Sequence, residues 1–321
     1  MADRSASQRD TRARSADFSI SIVNTNSRDL LLACLASLRE AEAEIVVLDN
    51  ASEDGSVEAA RERFPHVRVI AQSYRAGFAA NHNTVIRETT GRFVYVLNED
   101  TTSDDWGLGR IVAHFDANPR VAAIGPRLVY PDGRHQDSAW RFPSPAVASL
   151  GLLTLGRVGV KQSHGEMPRA VDWVMGAAIA LRREALDDVG LFDEGYFLYS
   201  EEVDLCLRLR RAGWEVHYFP RVTVVHHESQ FSAEIPERRI NEQWRSRHRY
   251  WRKHHSPAGA RVAALATGGQ YALRAALASA SRRRGIGPRM RLHARDSLRV
   301  DGPGLRELAE EWNGRVGAQS N

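Results

Sequence analysis

The chain has 321 residues, 43% hydrophobic and 26% charged, which is enough to bury one large core with a small appendage and excludes a fibrous or largely unfolded protein. Its two cysteines, Cys34 and Cys206, stand in no C-x-x-C or histidine-spaced pattern, so neither a disulfide framework nor a zinc site is indicated and a reducing cytosol fits. The formal net charge is only +4, but Arg282, Arg283, Arg284, Arg289, Arg291, Arg295 and Arg299 gather in one short stretch, which suits anionic lipid headgroups or nucleic acid and equally a solvated basic face.

Residues 1–17, MADRSASQRDTRARSAD, are polar and arginine-rich with no apolar centre, so they read as a disordered tail rather than a signal peptide or anchor. No apolar run reaches the roughly 20 residues that a membrane-spanning helix needs. The nearest are the uncharged stretch from Phe142 to Gly156 and the alanine-rich stretch between Arg261 and Arg274, both too short and too polar.

From Phe18 the sequence FSISIVNTN predicts a buried strand, and Asp29 to Leu38 an amphipathic helix with Leu31, Leu32, Leu35 and Leu38 on one face. Strands follow at Glu44–Leu48, Val67–Ile70 and Phe93–Leu97, with helices over Val57–Phe64 and Gly77–Thr90 between them. This alternation predicts an α/β domain with a mostly parallel, Rossmann-like sheet flanked by helices. Ligands in such sheets collect at the carboxyl ends of the strands, where Asn24, Asp49 and the triplet Asn98-Glu99-Asp100 fall.

The first strand-to-helix turn, VNTNSRDLLL, has no glycine, so a G-x-G-x-x-G dinucleotide site is excluded, and no Walker-type phosphate loop is present. Further on, VDWVMGAAIAL (171–181) reads as one strand with a close-approach glycine at Gly176, and Ser200 as the N-cap of a helix over Glu201–Ala212. Glu215–Phe219 and Val222–Val225 read as two strands parted by Pro220, the second ending in His226-His227. Beyond about Ile240 the chain reads as helical or irregular without a clear core stripe.

Two acidic clusters close apolar segments, VYVLNEDTT and Ser200-Glu201-Glu202-Val203-Asp204. Asn, Asp and Thr are ordinary turn residues, and acids in a first helical turn favour the dipole, so each cluster alone has a purely structural explanation. Two of them in one domain suggest a cation and a base.

Several ordered pieces, SIVNTNSRDLLLACLASL, IVVLDNASEDGS, AGFAANHN, VYVLNEDTT, GPRLVYPDG, VMGAAIALRREALDDVGLFDE, YFLYSEEVDLCLRLRRAGWEV and VVHHESQ, resemble the family-2 inverting glycosyltransferases of the GT-A fold across roughly residues 18–255. The GPRLVYPDG and FDEGYFLYSEEVDLCLRLRRAGW blocks are most similar to the rhamnosyltransferase branch. That resemblance implies a GT-A domain over residues 18–240, with a nucleotide-binding half (18–102) and an acceptor-binding half (103–240), followed by a helical basic extension (241–321). It implies transfer of a sugar, rhamnose from dTDP-rhamnose, onto a cell-envelope glycan or polyprenyl-linked acceptor, with a dTDP- or UDP-sugar as donor and Mg²⁺ or Mn²⁺ as cofactor. The expected setting is the cytoplasm, with a peripheral contact at the inner face of the cell membrane and no nucleic-acid partner.

By the same resemblance Asp100 is the metal ligand at the family's D-x-D position, and Glu99 a neighbouring or ribose contact, although Asn-Glu-Asp departs from the usual motif. His226 is implied as a second metal ligand, with His227 competing, and Asp49 as the acceptor for the imide N–H of a uracil or thymine ring. Asn24, Asn26 and Gly77 line the same pocket. Glu202 matches the general base, with Glu201 and Asp204 as alternatives. A nucleotidyltransferase would want a glycine- and lysine-rich phosphate loop, which SIVNTNSRDL lacks, and a non-catalytic glycan-binding relative is disfavoured because every acidic position is present.

Overall fold

The computed structural model describes residues 17–156, 160–228, 236–280 and 286–319. Apart from Asp17, the tail expected to be disordered lies outside the described residues, as do Arg282, Arg283 and Arg284. Asp17 itself is tied to the sheet, since its carbonyl accepts from Phe93 N at 2.9 Å and its carboxylate pairs with Arg92.

The first half follows the expected order: β1 (Phe18–Asn24), α1 (Arg28–Ser37), β2 (Ala43–Asn50), α2 (Ser56–Arg63), β3 (Arg68–Gln72), α3 (Phe78–Arg87) and β4 (Phe93–Asn98). These strands pair in parallel in the order β3-β2-β1-β4. Alternate residues of β1 point to opposite faces. Phe18, Ile20 and Ile22 pack with Leu31 and Leu35 of α1, while Ser21 on the other face meets His82 of α3 at 2.7 Å. Helices therefore cover both faces, and the chain reverses its direction of winding between β1 and β4, which opens a crevice at the strand tips.

Between Thr102 and Val171 the periodicity predicts no particular strand or helix. There the chain forms β5 (Thr101–Thr102), α4 (Leu108–Ala117), β6 (Val121–Val129), β7 (His135–Gln136), β8 (Ala139–Trp140) and α5 (Pro145–Thr154). Next come β9 (Arg169–Val171), β10 (Trp173–Val174), β11 (Ala178–Arg182), α6 (Arg183–Val189), α7 (Glu201–Arg211) and β12 (Glu215–His226). They extend the sheet as β4-β11-β6-β12-β5, with β11 antiparallel to both neighbours and β12 parallel to β6.

Three local expectations are corrected. The stretch 171–181 is not one strand: it takes in the last residue of β9, then β10, then β11, the last two joined through Gly176, where a Cβ would sit 3.3 Å from the Phe78 ring. Pro220 does not end a strand: β12 runs through it, and a register shift between Phe219 and Thr223 absorbs the missing N–H. Ser200 holds the N-cap position of α7 in a left-handed conformation, but its side chain makes no capping bond.

The absence of a core stripe after Ile240 is also corrected. Helix α8 (Pro236–His254) buries Ile240, Trp244, Tyr250 and Trp251 against Tyr196 and Val203. Arginines crowd the turns between these positions and mask the period in the sequence. The expected boundary at residue 240 falls inside this continuous helix. Helices α9 (Pro257–Ala280), α10 (Ile286–Asp296) and α11 (Leu305–Gln319) complete the described chain.

Candidate active site

Pairing of β12 with β5 sets His226 opposite Thr101, and His227 N donates to the Asp100 carbonyl at 2.9 Å. Residues 126 positions apart thus meet, with His226 Nε2 3.3 Å from Asp100 Oδ1. His227 turns instead toward Thr102, 3.4 Å away. His226 Nδ1 lies 3.0 Å from Gln136 Oε1 and must be the protonated nitrogen to donate there. Nε2 then presents a lone pair to a carboxylate oxygen, two acceptors that a cation beside them would reconcile. The donor set fits a hard or borderline divalent ion. Among the described residues no group of three or more His, Cys, Asp or Glu side chains could hold a metal unaided, so the other ligands would come from substrate and water.

Around Asp49 the side chains form a dense network, in which Asn24 Oδ1 and, at its edge, Arg75 Nε are buried without hydrogen-bond partners among the described residues. Asn24 Nδ2 donates to Asp49 Oδ1 at 2.9 Å and to Ser52 Oγ at 3.0 Å, and Ser52 N donates to Asp49 Oδ2 at 2.8 Å. Asn26, at φ 52°, accepts from Glu53 N at 2.7 Å and donates its own N–H to Ser52 Oγ. Asn50 Oδ1 accepts from Ala76 N at 2.8 Å and from Gln72 Nε2 at 2.7 Å, which pins the loop before α3. Burial, with the adjacent Asp100 charge adding to it, pushes the Glu99 carboxyl up to about 8 even though Ser27 hydrogen-bonds it.

Gly77 also answers a packing demand. A Cβ there would lie 2.4 Å from the Phe197 carbonyl, the same oxygen that accepts from Phe78 N at 2.8 Å. Glycine is needed because the loop ahead of α7 crosses at this point. That loop carries Tyr199 and Ser200 at φ 69° and 67°, a left-handed pair costing on the order of 1–3 kcal/mol each, and so aims Glu201 and Glu202 back at the sheet. Glu202 Cβ would be 3.8 Å from a Cβ on Gly176, and the next residue, Ala177, accepts from Asn98 N at 2.9 Å. The second acidic cluster is therefore delivered beside the first.

The three acids of α7 have different surroundings. Asp204 is fully buried and paired with Arg208 at 2.8 Å, Lys253 at 2.7 Å and His254 at 2.7 Å, contacts that offset its burial and hold its carboxyl well below the usual range. It faces α8 and ties that helix to α7. Glu201 and Glu202 each keep a buried Oε2 with no hydrogen-bond partner among the described residues. Burial first, then the Glu202 charge, raises Glu201 well above the ordinary carboxylate range; burial also raises Glu202, and Arg247 pulls it back.

Arg247 of α8 is half-buried near Glu202, Tyr196, Tyr250 and Tyr271, with no hydrogen bond or ion pair among the described residues. Nothing in the sequence sets it apart from the other arginines of this helix. A clasp also reaches the nucleotide side from the far end of the chain. Arg75 lies 4.3 Å over the Trp312 ring, Trp312 Nε1 donates to Glu53 at 3.0 Å, and Asn313 bonds the Arg75 backbone at 2.7 and 3.0 Å. Helix α11 thereby braces the two loops that frame Asp49, and no short motif signals a contact of this sequence separation.

With the geometry established, the comparisons are specific. The glycosyl transferase family 2 model matches residues 19–190. An N-acetylglucosaminyl-diphospho-decaprenol L-rhamnosyltransferase of Mycobacterium tuberculosis is 33% identical over 228 residues, covering 64% of this chain and 73% of that protein. Rhamnosyltransferase WbbL of Escherichia coli is 34% identical over 95 residues, 29% of this chain and 36% of that one. The fold is similar to that of a mannosyltransferase from Pyrobaculum calidifontis solved with GDP-Man and Mn²⁺, with a TM-score of 0.56 at 19% identity, covering 95% of this chain and 85% of that one. The expected GT-A architecture is present, and the chain belongs to glycosyl transferase family 2.

Proposed function

We propose that the protein is an inverting, metal-dependent glycosyltransferase that moves rhamnose from dTDP-rhamnose to a lipid-linked acceptor of the cell envelope. The observation that carries this reading is the Asp100–His226 pair at the strand tips together with Glu202, which packs against Gly176 in the neighbouring β10–β11 connection and keeps a buried Oε2 without a hydrogen-bond partner among the described residues. The choice of sugar and acceptor rests on the rhamnosyltransferase relatives.

Asp49, held by Asn24 and Ser52, keeps lone pairs for a buried imide N–H of uracil or thymine. Asp100 and His226 would hold Mg²⁺ or Mn²⁺, which supplies charge neutralisation at the departing diphosphate. Glu202 takes the proton of the acceptor hydroxyl as its oxygen bonds to the anomeric carbon; the carbon–oxygen bond to the diphosphate breaks on the opposite face, and the anomeric configuration inverts. Its raised pKa gives a carboxylate more basic than an exposed one. Glu201, beside it and also raised, is the alternative base, and Asp204 fixes the helix that carries both.

The test is a panel of nucleotide sugars with a polyprenyl-diphosphate-linked acceptor, with and without Mn²⁺, following nucleoside diphosphate release and the anomer formed. Acceptor-dependent release from dTDP-rhamnose with inversion is expected. Diphosphate formation from a nucleoside triphosphate and a sugar phosphate would establish a nucleotidyltransferase instead, and no release from any donor would leave a glycan-binding relative.

A further inference from the structure

The two stretches nearest to membrane character in the sequence lie far apart in the chain, yet they pack on each other in the fold as α5 and α9. Gly151 and Gly156 abut Gln270, and Gly269 abuts Leu152, so small residues let the helices approach closely. Helix α9 is about 36 Å long at about 1.5 Å per residue. Among the described residues no helix is long and apolar enough to cross a membrane.

This pair does not bury all of its apolar side chains. Leu153 is 83% exposed, Leu265 65%, Leu277 50%, Val262 47%, Leu273 45% and Leu150 37%. Elsewhere among the described residues only Tyr74, Met167 and Leu298 are large, apolar and comparably exposed. On α9 the four exposed aliphatics form one stripe at about 100° per residue, and Arg261 and Arg274 flank it on opposite sides. Neither α5 nor α9 carries an acidic residue. Arg289 and Arg291 are exposed on α10, which packs beside α9. None of these four arginines forms an ion pair among the described residues.

We infer that the face built by α5 and α9 seats the protein on an anionic lipid bilayer, leucines in the acyl boundary and arginines at headgroup level. The charge pattern selects this occupant over a second copy of the chain. Two-fold self-association would bring the arginines of one copy toward those of the other with no acid on either helix to pair with them. A bilayer of anionic lipids supplies both the apolar phase and the counter-charge.

The face also connects to the site. Tyr271, on the inner side of α9, stacks on His293 at 4.7 Å, meets Trp244 edge-on at 5.9 Å and neighbours Arg247, which in turn neighbours Glu202. An acceptor whose diphosphate rides at headgroup level would arrive on the side of the molecule that carries the carboxylate. That functional meaning rests on the lipid-linked acceptor proposed above; the surface itself does not.

Cosedimentation of the full chain with sucrose-loaded vesicles tests the inference, using phosphatidylglycerol mixed with phosphatidylcholine against phosphatidylcholine alone. The wild type should pellet with the anionic vesicles and much less with the neutral ones. Leu153→Glu combined with Leu265→Glu should weaken that binding at least about tenfold. Arg261→Gln with Arg274→Gln, which leaves the leucines in place, should lower binding to anionic vesicles alone. Wild-type protein left in the supernatant, or the leucine variant binding as tightly as wild type, overturns the inference. So does sedimentation velocity showing a wild-type dimer that the leucine variant converts to monomer without a change in vesicle binding. Vesicle binding as expected with no turnover of any lipid-linked acceptor would instead contradict the proposed acceptor and leave the surface standing.

Discussion

The surroundings of Asp49 and of Glu202 differ in how far their polar side chains are engaged. Around Asp49 most bond to one another: Asn24, Ser52, Asn50 and Gln72 form a network at the strand tips, braced from outside by Trp312 and Asn313, with Asn24 Oδ1 left without a partner among the described residues. Around Glu202 the polar atoms wait. Glu201 Oε2, Glu202 Oε2 and Tyr250 Oη are buried without hydrogen-bond partners among the described residues, Arg247 is unpaired, and the backbone ahead of them is strained. Buried polar groups are nearly always satisfied, so a concentration of exceptions marks where a polar ligand belongs. On the proposed reading, the donor pocket is held largely by its own side chains, while the carboxylates of the acceptor side have more of their hydrogen bonding left to a substrate.

Each half of that contrast can be broken separately. The largest expected effect is on the scaffold of the acceptor side. Asp204→Asn removes the anion that Arg208, Lys253 and His254 share and should destabilise the fold by about 3–5 kcal/mol, measured by urea denaturation. Because the Asp204 pKa is depressed in the folded protein, its contribution is fully present above the unfolded value of about 4 and is lost as pH falls below it. Wild type should therefore lose more stability than the variant on acidification from pH 5 to pH 3.

Next comes Asp100→Asn, which should lower turnover by about 10²–10³ while the circular dichroism spectrum stays unchanged, since the residue sits at a strand tip and not in the apolar core. On the donor side, Trp312→Ala removes the stack on Arg75 and the bond to Glu53. The donor KM should rise by up to about tenfold with kcat unchanged, and Trp312→Phe, which keeps the stack, should recover much of the loss. A fall in kcat without a change in donor KM would show that the clasp does not serve the nucleotide pocket. Smallest is a shift in the pH profile. Arg247, together with backbone N–H groups, holds down the Glu202 pKa that burial raises, so Arg247→Gln should move the acidic limb of kcat to higher pH, and an unmoved limb would separate that arginine from the base.

The same contrast explains what was legible in the sequence. The donor half is made of short strands and helices with clean periods, and its polar residues fall directly at strand ends, so Asn24, Asp49 and Asp100 could be located from pattern alone. The acceptor half depends on long-range placement. Asp100 and His226 meet through the β5–β12 pairing, Gly77 owes its identity to Phe197, and Asp204 is set apart from Glu202 in large part by Lys253 and His254 on a distant helix. None of these partners lies within the window over which a sequence period can be read. The aromatic core of α8 was hidden for a related reason, because Trp244, Tyr250 and Trp251 are separated by charged residues that point outward or, like Arg247, into the site.

The central claim is that the donor is bound on one side and the proton is removed on the other by Glu202. It is tested most directly by measuring nucleotide-sugar binding and sugar transfer separately in Glu202→Gln and Glu201→Gln. The account predicts that Glu202→Gln binds donor as wild type does and transfers about 10²–10⁴ more slowly, with Glu201→Gln the milder of the two. Wild-type transfer by Glu202→Gln, or a loss of donor binding as large as its loss of transfer, would contradict it.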